Sequence, residues 1–461
     1  MATAAIQSIA SDLFAPPTVT PPVAQLGAWK TLLTVADNPL KCWDMPLFSL
    51  PYRVVPWQGR QFVAITDPDL IQGVFLDHAD VFAKSPMQLR FTRPGTGDGL
   101  LTVEGATWRR QRRAASPAFR AEAITALAPQ MAAAGERAAQ ALARCGSGPV
   151  DVTPAMTRAT LEVIAHAALA ADNPSHNLDS TARAVSDYVE TIGRVDIPTI
   201  FGVPLWARLD KLKGRAAIQV MRDSAQAAIT WRRANDAKGA DLLYHLLAAR
   251  DPETGEGLSH DELRDNVMTF IAAGHETTAL TLTWTLYLLA HSPALQDRLH
   301  KELIDACGDG PVSAQSAERM VLHDAVLKES MRLFPPVAVL QRIATQDVRL
   351  GPLQLKRGDI ANALIYVMQR APRLWDDPGT FDPDRWLDAR AEGRHRFQYI
   401  PFGAGPRICI GLKLAMLEGV VILGEIIRRL RFQPDPACVP MPRLRLTLRP
   451  DRPVTVFVAS R

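Results

Sequence analysis

The sequence predicts a mainly α-helical fold with small β-sheets, built as a single large domain with a long helix through its centre. Three observations carry this expectation. Between about residues 68 and 335 apolar side chains recur at helical spacing, with alanine-rich amphipathic stretches at 121–144 and 155–171. Alternating, strand-like runs are confined to the flanks of that block. One stretch, "LSHDELRDNVMTFIAAGHETTALTLTWTLYLLAHSP", is helical throughout, and about thirty residues of helix span roughly 45 Å, the breadth of a domain.

In chain order, "MATAAIQSIASDLFAPPTVTPP" has no cationic head followed by a long apolar run, so neither a signal peptide nor a membrane anchor is expected. Residues 1–22 read as a flexible arm and 23–461 as one domain. "YRVVPW" and "QFVAI" flank Gly59 as a hairpin, and Asp67 with Pro68 starts a helix. Ser259 and Glu262 form a capping box for the long helix, and Pro293 marks its far end. A transmembrane span over 267–290 competes, but His275 and Glu276 at mid-span make it expensive. Strands return in "VRLGPLQLKRGDIANALIYV", punctuated by Gly351 and Gly358, and as a terminal hairpin of "LRLTL" and "VTVFV" around "RPDRP".

Composition narrows the function. Of 461 residues, 47% are hydrophobic and the net charge is +4, too small to argue for a nucleic-acid partner. Cys42, Cys145, Cys307, Cys409 and Cys438 are odd in number, scattered and free of any C-x-x-C pair. A disulfide framework, a structural zinc site and an iron–sulfur cluster are therefore disfavoured, and a reducing cytoplasm suits these thiols.

One cysteine stands apart. In "PFGAGPRICIGLKLAMLEG", Cys409 sits where a loop becomes a helix, so free N–H groups and the helix dipole can favour its thiolate. Gly403 and Gly405 permit a tight loop, and Gly411 lets something broad and flat approach the helix start. Phe402 can shield the sulfur, and Arg407 can meet an anion beside it. The bland alternative is a structural cysteine in a turn. A dinucleotide loop fails, because Ile408 stands where G-x-G-x-x-G requires glycine.

"FGAGPRICIG" resembles, position by position, the haem loop F-x-x-G-x-R-x-C-x-G of the cytochrome P-450 monooxygenases. Four further motifs follow the family's order: "WRRQR", "AGHETT", "ESMR" and "FDPDRW". The resemblance covers the chain from about residue 50 onward and implies the family's fold, with the long helix crossing the distal side of haem b. It implies Cys409 as the metal ligand, with thiolate donation favouring O–O cleavage, and Phe402, Ala273 and Gly411 beside the cofactor. Trp108, Arg112, Arg342 and Arg407 become contacts to the haem propionates. Glu329, Arg332 and Arg385 become a buried network under the loop. Asp384 stands where the family more often has glutamate, and "QRAP" where it usually has His-Arg-Asp.

In "AAGHETT" the resemblance makes Thr277 and Glu276 the catalytic pair, Glu276 relaying protons from solvent and Thr277 ordering water. A local opening of the helix at Ala273 and Gly274 would leave space for a diatomic ligand. The zinc-protease reading of "HE" fails, since Ala279 stands where H-E-x-x-H needs histidine. The implied activity is insertion of one oxygen atom of O₂ into a C–H bond or C=C of a lipophilic molecule. Electrons from NAD(P)H would arrive through a separate ferredoxin or flavodoxin and its reductase, docking near the cysteine face. Arg109, Arg110 and Arg113 are expected to form a cationic patch for that donor. Peroxygenase or rearranging chemistry, and a non-enzymatic haem redox or gas sensor, are the competing readings.

For the substrate, the resemblance points to the 85–101 loop with Phe91, Leu100 and Leu101, to Ala273, Val337 and Val339, and to the 190–215 segment. This lining is mainly apolar. A fatty acid is placed ahead of a terpenoid or steroid, because Arg90 or Arg93 can hold a carboxylate.

Overall fold

Local signals set the ends of the main helices, and the computed structural model shows each signal in use. It describes residues 13–57, 59–146, 148–169, 177–193, 198, 203, 208–235 and 241–461. Helices α1 (Ala28–Asp37), α2 (Pro86–Thr96), α3 (Gly105–Ala115), α4 (Ala128–Ala143) and α5 (Thr153–Ala168) lead into α6 (Leu178–Thr191) and α7 (Leu212–Asn235). Then come α8 (His260–Ala290), α9 (Val321–Leu333) and α10 (Leu412–Arg429). Helix α8 opens on the capping box: Ser259 Oγ accepts from Glu262 N at 3.2 Å, and Glu262 Oε2 accepts from Ser259 N at 2.9 Å. Pro293 begins the next helix, where its missing N–H costs nothing.

Nearly every side chain of the middle and C-terminal half of α8 is buried, so this helix is the protein's axis. Helices α2, α5, α7, α9 and α10 pack against it. A Cβ on Gly274 would lie 3.0 Å from Ile164 Cδ1. That glycine lets α5 approach α8 closely. The expected opening of α8 at Ala273 and Gly274 is absent, because the helix is continuous from His260 to Ala290. Among the described residues, no helix is long and apolar enough to cross a membrane.

The strands β1 (Tyr52–Trp57), β2 (Arg60–Ile65), β3 (Phe82–Ala83), β4 (Leu340–Ala344) and β5 (Ile360–Ala363) form one sheet in the order β1-β2-β5-β4-β3. β2 and β5 pair in parallel, and the other pairs are antiparallel. The expected terminal hairpin is rearranged. "LRLTL" turns the chain between Pro442–Leu444 and Leu448–Pro450, while Thr455–Ser460 pairs with Leu430–Pro434 and Val150–Asp151. Alternation alone does not choose a partner.

The expected flexible arm also differs where it is described. Residues 1–12 lie outside the described residues, but Phe14 stacks on His291 at 3.9 Å and its carbonyl accepts from Phe381 N at 2.8 Å. Around Phe14 the chain is docked on the core.

Candidate active site

Backbone geometry builds the cysteine loop. Gly403 and Gly405 have φ of +74° and +66°, and Cys409 N donates to Phe402 O at 2.9 Å, closing the turn. A Cβ on Gly405 would lie 1.7 Å from Phe75 O, so no other residue fits without moving backbone. Gly411 then caps α10. Cys409 is exposed and lines a cavity of about 310 Å³, of the order of known cofactor and ligand sites. Burial raises its thiol above the ordinary range, while the Gly411 N–H and the Arg112 charge pull it back. A metal bound to the sulfur would complete that stabilisation.

The same cavity gathers buried and half-buried cations. Arg112, Arg342, Arg407 and Lys84 all line the cavity. Arg407 donates to Val103 O at 2.9 Å, pairs with Glu104, and lies 4.0 Å from the Trp108 ring centroid. Arg342 lies 4.8 Å from the Phe75 ring, and burial pushes it down to about 10. Burial, with Arg407 nearby, also pushes Lys84 down to about 7, against the pull of Glu104 at 3.5 Å. Glu104 acts on three of these cations, Lys84, Arg407 and Arg342, and Arg112 feels the charge of Cys409 instead. Such a cluster is complete only when anionic groups enter it, and two carboxylates on a flat cofactor liganded by Cys409 fit that need.

Ala273 and Thr277 of α8 also line the cavity, and Thr277 Oγ1 donates to Ala273 O at 2.7 Å. Glu276 does not face it. Its carboxylate is buried against Arg449, which it pairs with, and Thr447, which donates to it at 2.8 Å. His275 is a buried core residue held neutral by burial, and no described cluster of His, Cys, Asp and Glu could hold a metal ion.

Under the loop, Glu329 accepts from Arg332 at 2.8 and 2.9 Å, from Arg385 at 2.9 Å and from Trp386 Nε1 at 2.9 Å. Burial pushes this carboxyl up, but Arg332 and Arg385 overcome it and hold it below the usual range. Asp384 does not join; it pairs with Arg298 at 2.6 Å. Gln369, in the "QRAP" that departs from the family pattern, accepts at its carbonyl from Arg332 at 2.8 Å and donates to Met331 O at 3.0 Å.

Leu100, Leu101 and Val337 line the cavity, but Phe91 and Val339 do not. Phe91 is buried in α2 with its carbonyl accepting from Tyr188, and Leu340 takes the place expected of Val339. Arg90 and Arg93 are also absent from the lining; Arg93 pairs with Asp98 at 2.6 Å on the exposed side. Much of the 190–215 segment lies outside the described residues. The cationic patch loses two members. Arg113 pairs with buried Asp251 at 2.7 Å, and Arg110 with Glu262, which leaves Arg109 exposed. Sequence reasoning missed Lys84, Gln88, Phe270 and Glu418, all in the cavity wall. Each is a single residue with no motif around it.

A sequence model of the cytochrome P-450 family matches residues 51–457, and the chain belongs to that family. It is thus an oxidoreductase of the haem monooxygenase class. It is 34% identical over 394 residues to cyclooctatin synthase of Streptomyces melanosporofaciens, covering 84% of each chain. It is 31% identical over 405 residues to the chloroplastic protein LUTEIN DEFICIENT 5 of Arabidopsis thaliana, covering 83% of this chain and 67% of that one. Identity to a cytokinin hydroxylase of Arabidopsis thaliana is 28% over 410 residues, covering 86% and 79%.

Proposed function

We propose that this chain inserts one oxygen atom of O₂ into a C–H bond or C=C of a lipophilic small molecule, with Cys409 holding haem b. The observation that carries this is one largely apolar cavity lined by Cys409 and by four cations, Lys84, Arg112, Arg342 and Arg407. Bound there, the haem supplies oxygen binding and activation; the protein's residues supply placement. Arg112, Arg342, Arg407 and Lys84 hold its carboxylates, and Trp108 covers the Arg407 guanidinium. Leu100, Leu101, Phe270, Val337 and Leu340 exclude water and orient an apolar substrate. Thr277 holds a proton at Oγ1 that can turn from Ala273 O toward cavity water.

Thr277→Ala should therefore lower the rate of product formation by about 10²-fold with substrate binding unchanged. Stopped coupling of electrons to product, with peroxide released instead, is the readout. The fatty-acid preference rested on Arg90 and Arg93, which do not reach the cavity wall, so a neutral lipophile is the better substrate class. Titration of neutral terpenoids, steroids and fatty acids against the haem spin state tests this. A shift with the neutral compounds is expected; a shift with fatty acids alone contradicts it.

Electrons come from NAD(P)H through a separate ferredoxin or flavodoxin and its reductase. Exposed Arg109 and Lys413, on α3 and at the start of α10, offer charge to an acidic donor near the cysteine face.

A further inference from the structure

The kind of lipophile this cavity takes can be narrowed, on the basis of the function assigned above, from the polar side chains of its lining. Most of them are already engaged. Thr269, Thr277, Thr278 and Thr281 each donate to a carbonyl one turn back on α8, at 2.7 to 3.2 Å. Lys84, Arg112, Arg342 and Arg407 stand where the cofactor carboxylates are placed. Among the described lining residues, Gln88 and Glu418 each keep an Oε1 that is shut off from solvent and has no hydrogen-bond partner. Glu418 has Thr278 beside it, with hydrogen bonding between the two side chains. The Gln88 oxygen is left over.

Its backbone, by contrast, is fixed. Gln88 stands in the first turn of α2, where its N–H donates to the cap residue Ser85 at 3.1 Å and its carbonyl accepts from Thr92 Oγ1 at 3.1 Å. Ser85 is in turn hydrogen-bonded to Gln341 of β4. A shielded amide oxygen has lost its water and regained nothing, which is unfavourable until a donor arrives. The last torsion of a glutamine is broad, so the amide can turn either end to the cavity at little cost. A hydroxyl can donate to Oε1 or accept from Nε2 and satisfies the amide in both settings. A ketone, an ether or a carboxylate only accepts, and leaves the oxygen unpaired.

We propose that Gln88 is a specificity-determining residue whose side-chain amide takes a hydrogen bond from a hydroxyl group of the substrate. The substrate is then a neutral lipophilic alcohol rather than a bare hydrocarbon. Gln88 holds that alcohol by its oxygen, while the apolar lining holds the carbon skeleton.

The test uses the haem-loaded protein and Gln88→Met, which keeps the length of the side chain and removes the amide. Two matched sets are titrated against the haem spin state: menthane, menthol and menthyl methyl ether, and androstane, androstanol and androstanol methyl ether. In at least one set wild type should bind the alcohol about five-fold or more tighter than both the hydrocarbon and the ether. Gln88→Met should lose that preference and bind the hydrocarbon more tightly than wild type does. A general loss of packing would weaken all three compounds together and would not reorder them. Wild type binding the alcohol no better than the hydrocarbon in either set overturns the proposal, and so does an alcohol preference that survives in Gln88→Met. Loss of haem from Gln88→Met, with the preference intact in the loaded fraction, would put the amide on the cofactor and overturn it as well. Failure of the underlying function looks different: wild type would lack the thiolate carbon monoxide band, or no compound of either set would move its spin state.

Discussion

Glu329→Ala should leave the protein unable to hold its cysteine loop, at a cost of about 3–5 kcal/mol. The glutamate is fully buried and takes hydrogen bonds from Arg332, Arg385, Trp386 Nε1 and Asp382 N. Removing it leaves buried Arg332 without its carboxylate and buried Arg385 with only Asp382 at 4.0 Å. A domain is stable by only about 5–15 kcal/mol, so this single change consumes a large share. Denaturant titration and the haem content after purification are the measurements.

The same group sets an acid limit. Its folded-state pKa is depressed below the ordinary 4.5, so its stabilisation is complete above that value. Stability is then lost as pH falls from there through the lower folded value. In Glu329→Gln this acid branch should flatten, because no proton uptake accompanies unfolding at that site.

Gly405→Ala should be nearly as damaging, for a backbone reason. The residue has φ +66°, and the new Cβ would meet Phe75 O at 1.7 Å. Left-handed backbone alone costs a non-glycine residue about 1 kcal/mol, and the clash adds to it. Either the loop or the Phe75 segment must shift, and the loop carries Cys409. The purified variant should hold little haem, and what it holds should have lost the thiolate signature. Haem content equal to wild type would show that the loop has slack.

Much of this site was legible because its parts are local. A capping box, a glycine-spaced loop and a Glu–Arg pair three residues apart are each decided within one turn of chain. The turn of Glu276 away from the cavity was not expected, although helix geometry allows it. Successive residues of an α-helix are about 100° apart, so with Ala273 and Thr277 on the cavity face, Glu276 falls beside it. What sequence could not supply were partners from far along the chain. The acids that neutralise Arg110 and Arg113 are Glu262 and Asp251, well over a hundred residues away. Arg449 finds Glu276 from the far end of the chain. Lys84, just after β3, and Glu418, on α10, enter the wall with no pattern to connect them before the fold does. The "LRLTL" error has the same origin, since strand alternation fixes a face and leaves the partner open.

The central claim is a bond between haem iron and the sulfur of Cys409, and one spectrum addresses it. The protein is purified, reduced and exposed to carbon monoxide, beside Cys409→Ala. The account predicts the long-wavelength Soret band of a thiolate-ligated complex in wild type and its loss in the variant. Its absence from wild type, or its survival in Cys409→Ala, would contradict the account.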